Sequence, residues 1–278
     1  EAAAKTGLLE GTIVAGGMFD IDASAIAMDI TNDENIAVIA GTWSINEYIS
    51  KKPVLDKSIM MNSFYCLDDY YLIEESSPTS ASNHAWFVNN FLEKERLEAK
   101  ERGMHPYAYC DSLAANVAPD EQHIMFLPFL YDSNYNASAK ASLIGLSSHH
   151  TKAHIIRSVL EGIVFTHKIH IDKLLKNRES TKSIRLAGGV TASTLWTQIF
   201  ADITNIPIEV VKEGELGALG AAMGAAVACG TYSSLEEASA NMVHVHTTVE
   251  PNKRYQGIYQ EKYEEFTEVV AALAPIWK

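Results

Sequence analysis

The sequence predicts an α/β layered domain, and three observations carry that prediction. In the second half of the chain, short apolar runs typical of buried strands alternate with longer stretches of helical periodicity. Paired glycines follow two of the apolar runs, at points where a strand must turn sharply. No internal repeat or low-complexity linker divides the 278 residues, so we predict a single domain spanning 1–278.

Composition and charge exclude several classes of protein. With 47% hydrophobic and 21% charged residues the chain can build a substantial core, which excludes disorder. A net charge of −13 argues against nucleic acid or an anionic membrane as partner, because both bind clustered Lys and Arg. The longest apolar stretch, residues 216–229, is shorter than the roughly 20 residues that span a bilayer. Cys66, Cys110 and Cys229 show no paired spacing and are interpreted as reduced thiols, which predicts a cytoplasmic location.

The first half of the chain is predicted to be rich in strands. Hydrophobic runs bounded by glycine, proline and polar residues define most of its elements. We predict a buried strand at 12–15, a helix at 20–28, a hairpin of strands 36–40 and 43–49, one or two strands in 58–73, a helix capped by Thr79 or Ser80, a helix at 106–117, and a strand followed by a loop in 124–130.

The second half has a more regular rhythm. Thr151 can cap a long helix that reaches about residue 176, with its apolar side chains on one side. Strands and helices then alternate, which gives the overall order β-β-β-α-β-α-β-α. The predicted elements are a strand at 184–187, helices at 193–204 and 216–229, a strand at 207–211 and a terminal helix at 256–273.

Two glycine-containing turns are candidate ligand sites. Gly41 and Thr42 stand at the predicted hairpin turn, where backbone N–H groups can cradle phosphate oxygens; an ordinary hairpin turn is the alternative. Gly188-Gly189 ends one strand and precedes the helix at 193–204, whose N-terminus favours anions. A tight turn with a Ser cap is the alternative there. Neither turn has the G-x-G-x-x-G or G-K-[ST] pattern.

A helix rich in small residues and an acidic segment are the other candidates. Gly217, Gly220 and Gly224 lie on one face of the helix at 216–229, which indicates close packing against the sheet or, for Gly217, a nearby ligand. Asp20 follows a predicted strand, where a carboxylate can take a proton from a substrate hydroxyl; capping of the following helix is the alternative. Asp22 is expected to point elsewhere.

The histidines do not predict a metal centre. His149, His150 and His154 cluster near a helix start, but no Cys or carboxylate pattern completes a zinc site. His167 falls on the apolar face of the long helix and is expected to be a hydrogen-bonded core residue.

Taken in order along the chain, these segments resemble the C-terminal half of the FGGY family of carbohydrate kinases. The similarity extends over essentially the whole sequence. It is carried by TIVAGGMFDIDASA at 12–25, AGTWS at 40–44, FLPFLY at 126–131, LEGIVF at 160–165, LAGGVTASTLWTQ at 186–198 and ELGALGAAMGAAVACG at 215–230.

The resemblance implies an actin-like, ribonuclease H-like lobe that binds ATP in a cleft between two such lobes. It implies that Asp20, in an interlobe segment at 1–30, is the general base, and that Mg²⁺ bridges the phosphates without a metal ligand from this chain. Gly41 and Thr42 would hold the β- and γ-phosphates. The residues flanking the adenosine would be Gly188, Gly189, Val190 and Ser193.

The resemblance also implies partners outside this sequence. The family's N-terminal lobe supplies most sugar contacts, and nothing here corresponds to it; a homodimer is left open. The chain begins at Glu1, inside a helical stretch without an initiator Met, which suggests a cut protein or a processed terminus. The 278 residues alone are therefore expected to bind adenine nucleotide weakly and to phosphorylate nothing.

The substrate is predicted from two segments. GTWSIN at 41–46 and SASNHAWFVNNFL at 80–92 look most like the L-xylulose kinase branch, which favours a ketopentose. One loop departs from the family: Asp132-Ser133-Asn134 follows FLPFLY where Gly and an Arg-bearing loop are usual, and Lys140 stands near the Arg position. Two other functions stay open, a non-catalytic actin-like nucleotide-binding module and a dinucleotide-dependent enzyme.

Overall fold

The computed structural model describes residues 1–134, 136–178, 180–211 and 214–277. Most of its strands form one seven-stranded sheet. The strands are β1 Asn35–Ala40, β2 Ser44–Ser50, β3 Met61–Phe64, β4 Tyr71–Ser77, β5 Met125–Leu127, β6 Ser142–Ile144, β7 Ser183–Ala187, β8 Ile208–Val211 and β9 Val245–Val249.

The strand order in the sheet is β3-β4-β2-β1-β7-β8-β9. Strands β1, β7 and β8 are parallel, whereas β2, β3, β4 and β9 join through antiparallel pairs. Because parallel neighbours need a crossover, the helices between β1 and β8 must pass over the faces of the sheet. The predicted β-β-β-α-β-α-β-α order is confirmed, and two further strands, β3 and β9, form the antiparallel edges of the sheet.

Helices cover both faces of the sheet in two layers. The helices are α1 Ala2–Thr6, α2 Asp20–Ile26, α3 Ala81–Phe91, α4 Glu93–Glu101, α5 Pro106–Ala114, α6 Lys152–Leu175, α7 Thr194–Thr204, α8 Leu216–Ala228, α9 Leu235–Met242 and α10 Gln256–Leu273. The first layer packs on the larger core and includes α3, α5, α6, α7 and α10; the second includes α2, α8 and α9.

Helix α6 begins where the sequence predicts. The backbone N–H of Thr151 donates to Nδ1 of His154 at 3.1 Å, which satisfies a donor at the helix start. Ile156, Leu160 and Ile163 are fully buried along one side of the helix. This side lies on the first-layer core and holds the helix against the sheet.

The small-residue face of α8 packs against α2, not against the sheet as expected. A Cβ at Gly220 would lie 2.0 Å from the carbonyl oxygen of Ala23 in α2. No L side chain fits at that distance, so the two helices approach with bare backbone. The small residues therefore fix the position of α2, whose first residue is Asp20.

The predicted strand at 12–15 is wrong. Residues 12–19 have no helix or strand, and the side chains of Ile13 and Val14 are 57% and 88% exposed. A strand needs a neighbour for its backbone N–H and C=O groups, and among the described residues no strand pairs with this segment.

No helix in the part of the chain that the structure describes is long and apolar enough to span a membrane.

Candidate functional site

A cleft of about 630 Å³ opens at the carboxyl ends of β1 and β7. Its size falls within the range of small-molecule sites. Gly41 and Thr42 line it from the β1–β2 turn, and Gly189 and Ser193 line it from the turn before α7. The structure thus brings together residues of both glycine-containing turns that the sequence singled out.

The β1–β2 turn is held by the start of α3. The backbone N–H of Ala81 donates to the carbonyl of Gly41 at 2.9 Å, and the hydroxyl of Ser82 donates to the carbonyl of Thr42 at 3.1 Å. The N–H of Gly41 donates to the carbonyl of Trp43 at 3.2 Å. The turn therefore has a defined conformation before any ligand binds, and the amide of Gly41 is already engaged.

Gly188 and Val190 support the turn before α7 without contacting the cleft. Gly188 abuts the backbone of β1, and Val190 is fully buried, so neither lines the cleft. Ser193 is the N-cap of α7 and accepts a hydrogen bond from the N–H of Trp196 at 3.0 Å. The indole N–H of Trp196 donates to the carbonyl of Leu160 at 3.1 Å, which fixes this aromatic wall of the cleft.

Two polar residues of the cleft were missed by the sequence analysis. His84 on α3 and Asp111 on α5 both line it. Burial lowers the pKa of His84 to about 4, and burial raises the pKa of Asp111 against the opposing hydrogen bond of Ser193. Within the described residues, neither Nε2 of His84 nor the buried Oδ1 of Asp111 has a hydrogen-bond partner. His84 lies in the segment at 80–92 that the sequence singled out, but no pattern links it to Asp111, because only the fold brings the two residues to one cleft.

Asp20 lies outside the cleft lining, in the other helix layer. It is exposed and is the first residue of α2, whose N-cap is Phe19. Asp20 is therefore not the N-cap that the alternative interpretation required, although its Oδ1 accepts the N–H of Ile21 at 3.0 Å. The helices that line the cleft, α3, α5 and α7, pack on the larger core, whereas α2 packs on the smaller one.

A group of buried carboxyls lies next to Asp20. The pKa of Asp22 is raised to about 6, mainly by burial and secondly by the negative charge of Asp20. Glu47 on β2 is directly opposite Glu74 on β4, and burial together with Glu74 and Asp22 raises the pKa of Glu47 well above its usual value. In the described chain, both carboxylate oxygens of Glu47, Oδ1 of Asp22 and Oε2 of Glu74 have no hydrogen-bond partner.

His167 is a hydrogen-bonded core residue, as predicted. Its Nδ1 contacts Oδ1 of Asn46 at 2.8 Å and the hydroxyl of Ser44 at 3.0 Å, and its Nε2 contacts the hydroxyl of Ser80 at 2.9 Å. Burial lowers the pKa of His167 to about 3, so the ring is neutral. It joins β2 to the residue that precedes α3, directly behind the β1–β2 turn.

The histidines near the start of α6 and the divergent loop lie away from the cleft lining. The ring centroids of His149 and His150 lie 4.2 Å apart near the start of α6, with the rings tilted by 52°. Among the described residues, no group of three His, Cys, Asp or Glu side chains is arranged to hold a metal ion. In the loop after β5, the backbone carbonyl of Asp132 accepts a hydrogen bond of 2.6 Å from the hydroxyl of Thr79. Lys140 in the same loop is exposed. Tyr135 of this loop lies outside the described residues.

Comparison with known proteins places this geometry in a family. The sequence model of the FGGY family of carbohydrate kinases, C-terminal domain, matches residues 36–229. A probable L-xylulose kinase of Pasteurella multocida is 31% identical over 277 residues, and the L-xylulose/3-keto-L-gulonate kinase of Escherichia coli is 30% identical over 275 residues. Each match covers 98% of this chain and 53% of the relative, so the chain spans about half the length of the curated relatives it matches.

The fold is also shared with solved structures. The crystal structure of xylulose kinase from Rhodospirillum rubrum is similar with a TM-score of 0.85 and 26% identity, over 99% of this chain and 55% of that one. This likeness confirms the actin-like α/β fold that the sequence resemblance implies. The matched residues include both turns of the cleft and the helices that build it. The chain belongs to the FGGY family of carbohydrate kinases and matches the C-terminal domain of that family.

Proposed function

We propose that this chain is the ATP-binding half of a carbohydrate kinase and supplies the general base for phosphorylation of a sugar hydroxyl. The observation that carries the proposal is the convergence of Gly41–Thr42 and Gly189–Ser193 on one cleft. A nucleoside triphosphate needs accessible backbone N–H groups for its phosphates and a pocket lined by apolar or aromatic side chains for its base. This cleft offers both.

The cleft residues fit a nucleotide. At Gly189, apart from its own stretch of backbone and its chain neighbours, no atom of the described residues lies within 4 Å of where a Cβ would be, so a ligand can approach the backbone. Trp196 and Tyr107 provide aromatic lining for a base. Phosphates over the β1–β2 turn would be reached by the amides of Thr42 and Trp43, since the amide of Gly41 is engaged within the turn.

The proposed chemistry assigns the proton transfer to Asp20. A triphosphate that extends from the cleft over the β1–β2 turn would present its terminal phosphate towards α2. There the exposed carboxylate of Asp20 would accept the hydroxyl proton as the sugar oxygen bonds to the γ-phosphorus and the bond to ADP breaks. Magnesium, when bound, would neutralise charge on the phosphate oxygens, and those oxygens and water would hold it without a ligand from this chain.

The sugar is proposed to be a ketopentose such as L-xylulose. Support comes from the segments at 41–46 and 80–92 and from the names of two relatives, one of which also acts on 3-keto-L-gulonate. The sugar contacts would come largely from an N-terminal lobe of the intact protein. The cytoplasmic location and the homodimer stay predictions.

Substitution of Asp20 separates the kinase from a non-catalytic nucleotide-binding module. In an intact protein that contains this chain, Asp20→Asn should reduce turnover of ATP with L-xylulose by at least about a hundredfold, because no base would take the hydroxyl proton. ATP affinity should not change. The exposed Asp33→Asn, before β1, is the matched control. Turnover retained by Asp20→Asn would remove the base assignment, and nucleotide binding without any turnover of a pentulose panel by the wild type would favour the non-catalytic module.

A further inference from the structure

We propose that His84 and Asp111 recognise the hydrogen-bonding edge of the nucleotide base and select adenine over 6-oxopurines. In this arrangement the 6-amino group of adenine donates to Asp111, and a neighbouring ring nitrogen accepts from His84. The inference rests on the proposed function, because it requires that the cleft holds a nucleotide.

Two unpaired polar atoms point to this recognition. His84 is only 4% exposed, and in the described chain its Nε2 has no hydrogen-bond partner; the same holds for the buried Oδ1 of Asp111. An unpaired buried polar atom is unfavourable, and native proteins rarely keep one without a reason. Both residues line the same cleft from different helices, so one ligand can satisfy both atoms at once.

The walls around the two atoms suit a flat aromatic ring. The ring of His84 stands edge-on to Trp196, with centroids 5.2 Å apart, and lies 5.2 Å from the ring of Tyr107. Gly189 and Ala192 present small surfaces to the same cleft. A heteroaromatic base can stack on such surfaces while its polar edge turns to His84 and Asp111.

The polarity of the two groups distinguishes the purines. An ionised carboxylate only accepts hydrogen bonds; burial raises the pKa of Asp111, and the hydrogen bond of Ser193 opposes that rise. His84 is neutral at physiological pH, because burial lowers its pKa to about 4, and it can therefore donate one N–H. Adenine offers an amino donor beside a ring-nitrogen acceptor, which complements this pair. Hypoxanthine and guanine carry a carbonyl oxygen at position 6. This oxygen would face the carboxylate of Asp111, and because both groups are hydrogen-bond acceptors the contact would be unfavourable.

The test compares ATP, ITP and GTP binding to the 278-residue chain by calorimetry. The wild type should bind ATP at least about tenfold more tightly than ITP or GTP, since each hydrogen bond to a charged group contributes that much or more. Asp111→Asn should reduce or reverse the ratio of ATP to ITP affinity, because the amide can turn its NH₂ group to the 6-oxo group. His84→Leu should weaken ATP, and His84→Gln should restore part of the loss. Asp120→Asn, exposed just beyond α5, is the matched control and should behave as wild type.

The outcomes distinguish this inference from the proposed function. Equal affinities of the wild type for ATP and ITP, or an unchanged ratio in Asp111→Asn, would overturn the inference while leaving the nucleotide site in place. The wild-type ratio needs no variant, so a folding defect in a variant cannot hide this result. Failure of the wild type to bind any of the three nucleotides would overturn both the proposed function and the inference.

Discussion

Gly188 lies directly against the backbone of Ala40: a Cβ at Gly188 would be 2.6 Å from the carbonyl oxygen of Ala40. The backbone of Gly188 also has a φ of 96°, in the range that side chains disfavour. Since Ala40 ends β1 and Gly188 follows β7, this contact sets the separation of the two glycine-containing turns of the cleft. The next glycine, Gly189, has open space instead.

Substitutions at the two glycines should therefore have different effects. Gly188→Ala should lower the free energy of unfolding by about 2–5 kcal/mol, through backbone strain and overlap with Ala40. Gly189→Ala should change it by less than about 1 kcal/mol but weaken nucleotide binding, because its methyl group would stand in the cleft. Urea unfolding and ATP titration of both variants measure the two effects. Similar stability losses in both would contradict the geometry.

His167 should be important for stability and for resistance to acid. His167→Leu leaves Ser44, Asn46 and Ser80 without their shared partner, which should lower the free energy of unfolding by about 2–4 kcal/mol. The folded state binds fewer protons than the unfolded state, because burial lowers the pKa of His167 from 6.5 to about 3. Wild-type stability should thus fall from pH 6.5 towards pH 3, and this contribution should be absent in the variant. Identical pH profiles would show that the ring is not buried and neutral.

Glu47 should destabilise the protein at alkaline pH. Its pKa is raised in the folded state by burial and by Glu74 and Asp22, so its stability contribution is full below the ordinary value of 4.5 and is lost as pH rises through the folded pKa. Glu47→Gln should therefore raise the free energy of unfolding at pH 8 by on the order of 1 kcal/mol or more, with little effect near pH 4.5.

The neighbouring Glu75→Gln is a control of opposite sign. Burial alone would raise the pKa of Glu75, but hydrogen bonds from His170 and Lys173, at 3.2 and 3.0 Å, lower it. Loss of this carboxylate should destabilise the protein at pH 8. Denaturant titration at both pH values measures the two variants, and a destabilising Glu47→Gln at pH 8 would refute the buried carboxyl group.

The contact between α2 and α8 should tolerate no side chain at Gly220. Gly220→Ala places a methyl group 2.0 Å from the carbonyl oxygen of Ala23, so α2 must move. We expect a loss of about 2–4 kcal/mol in the free energy of unfolding, together with reduced turnover in an intact kinase, because α2 carries Asp20. Gly217→Ala is the matched control, since its nearest atom, Oγ of Ser24, is 3.9 Å away. Equal stability of the two variants would contradict the close packing.

The sequence predicts the second half of the fold better than the first. From Thr151 onwards, caps and helical periodicity coincide with tertiary packing, and helices α6, α7, α8 and α10 begin within a residue or so of their predicted starts. The error at residues 12–15 has a physical reason: apolar periodicity indicates a strand, but pairing needs a partner that periodicity cannot supply. Helices α4 and α9 were not predicted. The segment of α4 is highly charged, and its periodicity is weak.

The candidate site was predicted where it depends on backbone and missed where it depends on side-chain packing. Gly41 and Gly189 stand at turns that the sequence pattern itself predicts, because glycine follows an apolar run at both places. His84 and Asp111 belong to separate helices, and the buried Glu47 looks like an exposed residue on an alternating strand. Their unusual environments come from tertiary contacts between elements distant in sequence.

Chemical-shift mapping of the chain labelled with ¹⁵N-glycine tests the central claim most directly. The sequence contains 16 glycines, distributed over both helix layers, so each reports on its own neighbourhood. On addition of magnesium and a non-hydrolysable ATP analogue, the amide signals of Gly41, Gly188 and Gly189 should shift together, while those of Gly103 and Gly257 should not. Saturable shifts confined to other glycines, with Gly41 and Gly189 unchanged, would contradict the assignment of the cleft.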